Sequence, residues 1–306
     1  MADATRKIVI DTDPGHDDAL ALLLVVKSGL FDIQAVTTVA GNSSLQNITN
    51  NARYILDLAG SNAPLYSGAS SPLKRDLVQA EVHGENGLAG AVITKQEPLT
   101  HNAHEKIIEI VRAHPHEITL ITLGPLTNVA KAFLEDPELP SLLQEVVIMG
   151  GAIAVPGNKN RVGEFNVFVD PDAADIVFEA DVKKTLIPLD ACNDISLSLE
   201  EFEMLKGSSL YEPVLAMMKP YIQGIRTFEK TSGALMYDPL AAYYAINPLA
   251  YTIEPMDVHV ETKGEYTLGM TVADRRTWGE KKNNINVATH IDRDAFVKDF
   301  FKYLCN

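Results

Sequence analysis

Apolar positions recur along this chain in two alternating rhythms. Short runs rich in β-branched residues, at Lys7–Asp11, Ile33–Val39, Ile118–Leu123, Glu145–Met149 and Thr185–Leu189, predict strands. Between them, stretches with helical spacing predict helices at Asp17–Val26, Leu45–Leu58, His104–Ala113, Leu126–Leu134 and Asp172–Glu179, each long enough for a right-handed crossover. Strands that alternate with helices in this way must pair in parallel and be covered on both faces. The expected fold is therefore α/β: a Rossmann-like, doubly wound, mostly parallel sheet with helices on both faces. After residue 195 the pattern turns helical, at Leu199–Lys206, Tyr211–Arg226 and Tyr237–Ala245. It then returns to strand-like runs at Ala250–Val260, Leu268–Val272 and Asn286–Ala288 before a closing helix at Arg293–Leu304. That reads as a helical insertion in the C-terminal third. With no Pro/Gly/Ser-rich linker and no internal repeat, a single domain over residues 1–306 is the simplest account.

Composition removes several classes of function. The 306 residues are 46% hydrophobic and 22% charged, which excludes disordered, collagen-like and coiled-coil chains. Against 26 Lys+Arg stand 41 Asp+Glu, a net charge of −15 that repels nucleic-acid phosphates and anionic membranes alike. Cys192 and Cys305 lie far apart and outside any CxxC or Cys/His spacing, so neither a disulfide framework nor a structural zinc site is expected. The start passes from polar residues directly into the first strand, without a signal-peptide-like apolar stretch, and the run Ala19–Val26 is too short to span a bilayer. A soluble, cytoplasmic protein is expected, with neither nucleic acid nor membrane as partner.

The chemistry concentrates where the first strand ends. Asp11-Thr12-Asp13-Pro14-Gly15-His16-Asp17-Asp18 follows that strand and opens the first helix, at the strand end where open α/β sheets bind ligands. A lone Asp here would merely decorate a helix N-terminus. Four carboxylates in eight residues repel one another and raise each other's pKa unless a cation compensates them. Their all-oxygen character points to a hard ion, Ca²⁺ or Mg²⁺, rather than Zn²⁺. Pro14 and Gly15 fix a tight turn that brings both ends of the string together.

In the string DTDPGHDDA, from Asp11 to Ala19, the chain resembles the inosine-uridine-preferring nucleoside hydrolase family. Further pieces match in the family's order: Thr37–Asn42, His83–Leu88, Leu123–Asn128, Val147–Gly151, Glu164–Val167 and Asp238-Pro239. The resemblance covers nearly the whole chain, and the opening string is its most specific part. It implies calcium-dependent hydrolysis of the N-glycosidic bond of ribonucleosides to ribose and free nucleobase. It also implies that Asp13, Asp18 and Asp238 ligate one Ca²⁺ together with the backbone carbonyl of Leu123. Asp13 would double as the general base that activates the metal-bound water. Asp17, Asn42, Glu164 and Asn166 would clamp the ribose, with Met149 and Asn158 towards its 5′ side. A homodimer or homotetramer is expected.

Other positions divide between site and scaffold. His83 lies in a Gly-flanked loop that could close over the base, although an exposed loop histidine is the commoner case. Phe165 reads as a packing residue between two ligands, and His16 as flanking the acid cluster without ligating. His114 and His116 read as a solvated loop, Met217 and Met218 as core or groove wall, and Tyr221 and Phe228 as core residues within reach of the base. The departure from the family pattern is Tyr237, where many members have a histidine before the calcium Asp. It puts in question the acid that serves the leaving base and, with it, the base preference. The rival readings are a haloacid-dehalogenase-type phosphatase, for which Asp11 would be the nucleophile, and a non-catalytic nucleoside or ribose sensor.

Overall fold

The computed structural model describes residues 5–228 and 231–305. Eight strands form one sheet, in the order β3-β2-β1-β4-β5-β6-β12-β9. In chain terms these are β1 (Arg6–Thr12), β2 (Phe31–Thr38), β3 (Leu65–Ser67), β4 (Ile118–Thr122), β5 (Glu145–Met149) and β6 (Lys184–Ile187), completed by β9 (Tyr251–Met256) and β12 (Ile285–Ile291). All neighbouring pairs are parallel except β12 with β9, which closes the sheet as an antiparallel edge. Two short antiparallel ladders stand apart: β7 (Ser196–Leu197) with β8 (Ala234–Leu235), and β10 (Val258–Val260) with β11 (Thr271–Ala273).

Successive side chains of β1 point to opposite faces, so Ile8 and Ile10 enter one core and Val9 the other. The first core packs against α1 (His16–Ser28), α2 (Leu45–Ala59), α10 (Tyr211–Phe228), α11 (Tyr237–Ile246) and α12 (Arg293–Leu304). The second packs against α3 (Ala103–Ala113), α4 (Thr127–Glu135) and α7 (Pro171–Glu179), with α5 (Leu139–Leu142) at its edge. Three short helices, α6 (Phe165–Val169), α8 (Leu189–Cys192) and α9 (Leu199–Phe202), turn corners at the strand ends. The helix α1 is buried from His16 to Val25, because it is sandwiched between the sheet and α11. A helix in that position must be apolar all round, and ALALLLVV is.

The doubly wound α/β class holds, and the five early strands and five early helices appear within two residues of their expected bounds. The C-terminal third differs in detail. The expected strand Ala250–Val260 divides at Asp257, because β9 pairs with β12 in the main sheet whereas β10 turns to pair with β11. The strand expected at Leu268–Val272 shrinks and shifts to Thr271–Ala273, since Gly269, at φ 76°, and the Met270–Thr267 hydrogen bond hold the preceding residues in a turn. The strand expected to reach Leu189 stops at Ile187, because Pro188 offers no N–H to the ladder. The helix expected at Leu199–Lys206 tightens after Phe202 into a 3₁₀ turn over Glu203–Leu205. Among the described residues no helix is long and apolar enough to cross a membrane.

Strand register sets the site. Asp11 of β1 lies level with Thr37 of β2 and Thr122 of β4, Thr122 with Ile148 of β5, and Met149 with Ile187 of β6. The segments that follow these strands therefore emerge along one edge of the sheet. The chain order reverses between β1 and β4, and that switch point is where such sheets form a ligand crevice.

Candidate active site

A cavity of about 290 Å³ opens at this edge. Its wall includes Asp17, Asn42, His83, Leu123, Met149, Asn158, Glu164, Asn166, Tyr237 and Asp238, so ten residues singled out from the sequence converge on one space. Asp13 and Asp18 are fully buried and do not form part of the lining.

The acid cluster is built by the turn after β1. Asp18 sits in the first turn of α1 and accepts hydrogen bonds from Thr12 Oγ1 (2.6 Å), the Gly15 N–H (3.0 Å) and Asn42 Nδ2 (3.2 Å). One carboxylate thus closes the loop that carries it. Asp13 Oδ2 accepts from the Asn42 N–H at 2.7 Å, and Asn42 Nδ2 returns a hydrogen bond to the Asp13 carbonyl at 3.0 Å. A Cβ on Gly41 would lie 2.1 Å from Asp13 Oδ2, and one on Gly124 would lie 2.4 Å from Asp13 Oδ1. Both glycines are therefore needed to admit the Asp13 carboxylate, which explains why Gly41 precedes Asn42 and Gly124 follows Leu123.

Asp17, Asp18 and Asp238 bring one carboxylate oxygen each to within 4.8 Å of one another. The Asp17 side chain, expected at the ribose, belongs to this group, and Asp13 stands beside it. Burial, followed by the charge of Asp18, pushes the carboxyl groups of Asp13 and Asp238 well above the usual carboxylate range. Burial also raises Asp18, against the pull of Thr12 and Gly15. No lysine or arginine forms an ion pair with Asp13, Asp18 or Asp238 among the described residues, and the buried Asp13 Oδ1 has no hydrogen-bond partner. An all-oxygen set with a buried unsatisfied oxygen, in which no lysine or arginine among the described residues pairs with Asp13, Asp18 or Asp238, fits a hard divalent cation. This Asp cluster could bind a metal.

Asp11 serves differently. Its Oδ1 accepts from Thr37 Oγ1 (2.6 Å) and Asn128 Nδ2 (2.8 Å), and burial pushes its pKa up to about 7. It faces β2 and α4 rather than the cavity, a poor placement for the nucleophile a phosphatase would need.

The opposite wall comes from the loop after β5 and from α6. Glu164 caps α6, accepting from the Asn166 N–H (2.9 Å), the Val167 N–H (3.1 Å) and the Gly151 N–H (2.9 Å). Asn166 Nδ2 donates to the Leu123 carbonyl at 2.7 Å, so that carbonyl faces the site. Asn158 Oδ1 accepts from the Phe165 N–H at 2.9 Å. Phe165 itself is only half-buried and lines the cavity; the one-turn helix α6, not visible in the apolar pattern, rotates it out of the core.

The third wall is aromatic. No helix or strand lies between Ser67 and Ala103, and this long segment lays Ala80–His83 on the cavity. His83 is buried at 5% exposure rather than exposed as loop histidines commonly are. Its ring stacks with His16 at 5.3 Å and with Tyr221 at 5.4 Å, and its Nε2 lies 3.9 Å from Asp17 Oδ1. Burial, aided by His16, holds His83 neutral well below the usual histidine range, and burial lowers His16 to about 4. His16 packs behind the acid string, as expected. Tyr221 lines the cavity, and Met217 and Met218 are core. The Phe228 side chain lies outside the described residues. His114 and His116 sit before β4, away from the cavity.

Sequence reasoning missed Val82, Ile225, Lys159 and Asn193. The first two adjoin His83 and the Tyr221 helix, but nothing in their residue type marks a wall. The last is tied to the cavity only through Tyr237, whose hydroxyl donates to Asn193 Oδ1 at 3.2 Å.

Comparison with known proteins places this geometry in context. A family model described as inosine-uridine preferring nucleoside hydrolase matches residues 8–298. The chain is 37% identical over 302 residues to the pyrimidine-specific ribonucleoside hydrolase RihA of Shewanella woodyi, with 96% of each chain covered. Among solved structures it is similar to a plant nucleoside hydrolase, the PpNRh1 enzyme, with a TM-score of 0.91 at 29% identity over 99% of both chains. It is also similar to the purine-preferring ribonucleoside hydrolase from Gardnerella vaginalis, with a TM-score of 0.89 at 28% identity over 98% of both.

Proposed function

The chain belongs to the inosine-uridine preferring nucleoside hydrolase family, enzymes that hydrolyse ribonucleosides to base and ribose, and from that premise we propose how its residues divide the work. The observation that carries the reading is the single cavity in which a buried carboxylate floor meets an amide and carboxylate wall and an aromatic wall.

Calcium is the ion proposed, held by Asp13, Asp18, Asp238 and the Leu123 carbonyl, with the Asp17 carboxylate beside it. When bound, the ion would polarise water and the ribose diol. Asp13 would accept the proton of the water that attacks the anomeric carbon, the role of a general base. As the C–N bond breaks, positive charge grows on the ribose ring, and the surrounding carboxylates favour that state over the substrate. Asp17, Asn42, Glu164 and Asn166 hold the ribose. Met149 and Asn158 face its 5′ side, and His83, Tyr221 and Tyr237 flank the base. We take residues 1–306 as one domain, supported by the return of β9 and β12 to the main sheet after the helical insertion. We also carry forward a homodimer or homotetramer, as the family resemblance implies.

The similar proteins differ in the base their names print, pyrimidine-specific in one case and purine-preferring in another. A product assay with uridine, cytidine, inosine, adenosine and guanosine, reading free base and reducing sugar, tests the activity and ranks the bases. Release of base and ribose is expected from at least one. Binding without product would favour a sensor, and phosphate release from a phosphomonoester would favour a phosphatase.

A further inference from the structure

We propose that Lys159 makes the 5′ end of the cavity a phosphate subsite, so that the site binds ribose carrying a 5′-phosphate as well as free nucleosides. The inference deepens the reading of the cavity as a ribonucleoside site and rests on it.

The charge at this wall differs from that of the rest of the site. Carboxylates of Asp17, Glu81, Glu164 and Asp238 line the cavity, and among the described residues Lys159 is the one lysine or arginine that does so. It is half-buried, and it forms no ion pair with a carboxylate of the described residues. Its ammonium lies instead over the ring of Phe165, 5.8 Å from the centroid. Phe165 is the side chain that α6 turns out to the cavity, so ring and ammonium stand together at one wall. From Gly150 to Gly163 the chain has no acidic residue, and it adds a second cation in the exposed Arg161.

Backbone contacts fix where the lysine stem starts. The Lys159 N–H donates to the Gly163 carbonyl at 3.2 Å and the Gly157 N–H to the Arg161 carbonyl at 3.3 Å, which closes a short loop. Asn160 Oδ1 accepts from the Val162 N–H (2.9 Å) and the Gly163 N–H (2.6 Å), while its Nδ2 donates to the Leu268 carbonyl at 2.9 Å. A Cβ on Gly157 would lie 2.2 Å from the Gly163 carbonyl oxygen, so the two ends of the loop touch. Asn158, the preceding residue, is tied to the Phe165 N–H. The loop therefore holds Lys159 at the same wall as Asn158.

Ribose presents three directions to its surroundings. In the binding mode proposed above, its 2′- and 3′-hydroxyls meet the carboxylate floor, the base on C1′ meets the aromatic wall, and the 5′ carbon meets Met149 and Asn158. Lys159 adjoins the last of these. A 5′-hydroxyl is neutral and calls for no ammonium. A phosphate monoester carries about −1.5 to −2 charges at neutral pH, and lysine binds phosphate as a point charge. The carboxylates oppose such an anion, but Glu164 is already engaged by three N–H groups, and a cation on the floor would offset the others.

Competition kinetics test this. Inhibition of nucleoside hydrolysis by ribose and by ribose 5-phosphate is measured for wild type, Lys159→Met and Lys159→Arg, at low salt in phosphate-free buffer. For a half-buried charge pair, the wild-type inhibition constant of ribose 5-phosphate is expected to be about five- to tenfold below that of ribose. Lys159→Arg keeps the charge and is expected to keep that preference, whereas Lys159→Met keeps the stem and is expected to abolish or invert it. Added sodium chloride should shrink the wild-type preference, because salt screens a partly exposed pair. Equal inhibition by the two sugars in wild type would overturn the proposal while leaving the ribonucleoside reading intact. A preference that survives in Lys159→Met would also overturn it, since the phosphate would then be held elsewhere. A wild-type protein inert on every ribonucleoside would instead overturn the reading of the site, and this proposal with it.

Discussion

The Asp13 carboxylate is admitted by two glycines, fixed by Asn42 and left with one unsatisfied buried oxygen. A side chain held this closely for a chemical task should be irreplaceable. Asp13→Ala is expected to cut turnover by roughly 10²- to 10⁴-fold or more, the usual cost of losing a general base, with circular dichroism unchanged. Asp17→Ala, which leaves Asp13, Asp18 and Asp238 in place, is expected to raise KM more than it lowers kcat and to retain the bound ion. Wild-type turnover in a folded Asp13→Ala protein would refute its assigned role. A second residue is a stability test remote from the cavity. Lys184 is 3% exposed in β6, its ammonium donating to the Ala180 carbonyl, and burial lowers its pKa from 10.5 to about 8. Between those two values the unfolded chain binds more protons than the folded one, so stability rises with pH. Relative to Lys184→Met, the wild-type protein is thus expected to gain stability from pH 8 to 10.5 in denaturant titrations. A flat difference across that window would show that the lysine is not desolvated.

At the scale of elements, short helices at the strand ends do more for the site than the long ones. The helix α6 has five residues and cannot persist alone. It is held by Glu164, whose carboxylate serves three backbone N–H groups at once. Glu164→Ala would leave those buried donors unpaired, and the expected cost is at least about 1–3 kcal/mol, read as a lower urea midpoint. Glu164→Gln keeps one acceptor oxygen and should lose less. Equal stability of both variants and wild type would mean that α6 is held by packing alone. These elements were poorly visible in sequence because a four- or five-residue helix gives too few positions for a period to show. Only the EFN matching piece marked this one.

For the molecule as a whole, the central energetic fact is a knot of buried carboxylates in a chain of net charge −15. A bound cation offsets their repulsion and links β1, α1 and α11, so ion binding and folding should be coupled. Purified protein is expected to carry about one Ca²⁺ per chain by elemental analysis. Chelation should lower the Tm, and calcium should restore it. At a free-ion concentration a hundred times Kd the stabilisation is roughly 2.7 kcal/mol. Stoichiometric zinc, or a Tm indifferent to chelation, would reject the assignment.

Sequence alone determined the alternation of strand and helix, and hence the parallel sheet, because burial on both faces writes itself into the central strands β1, β4 and β5 as apolar runs. It also located the acid string at the end of β1, since the turn, the strand and the carboxylates are contiguous there. Most of the cavity's other residues were legible only as motif matches scattered from Asn42 to Asp238. Tertiary structure decided how they stand to one another. It put Asp17 within the carboxylate group, buried His83 against the rings of both His16 and Tyr221, turned Phe165 to the cavity and directed Tyr237 to Asn193. All of those outcomes but that of Phe165 depend on contacts between residues tens to hundreds of positions apart, set by strand register and the packing of helices across the sheet edge. A local pattern records what one segment buries, and it holds no information about which distant segment meets it there.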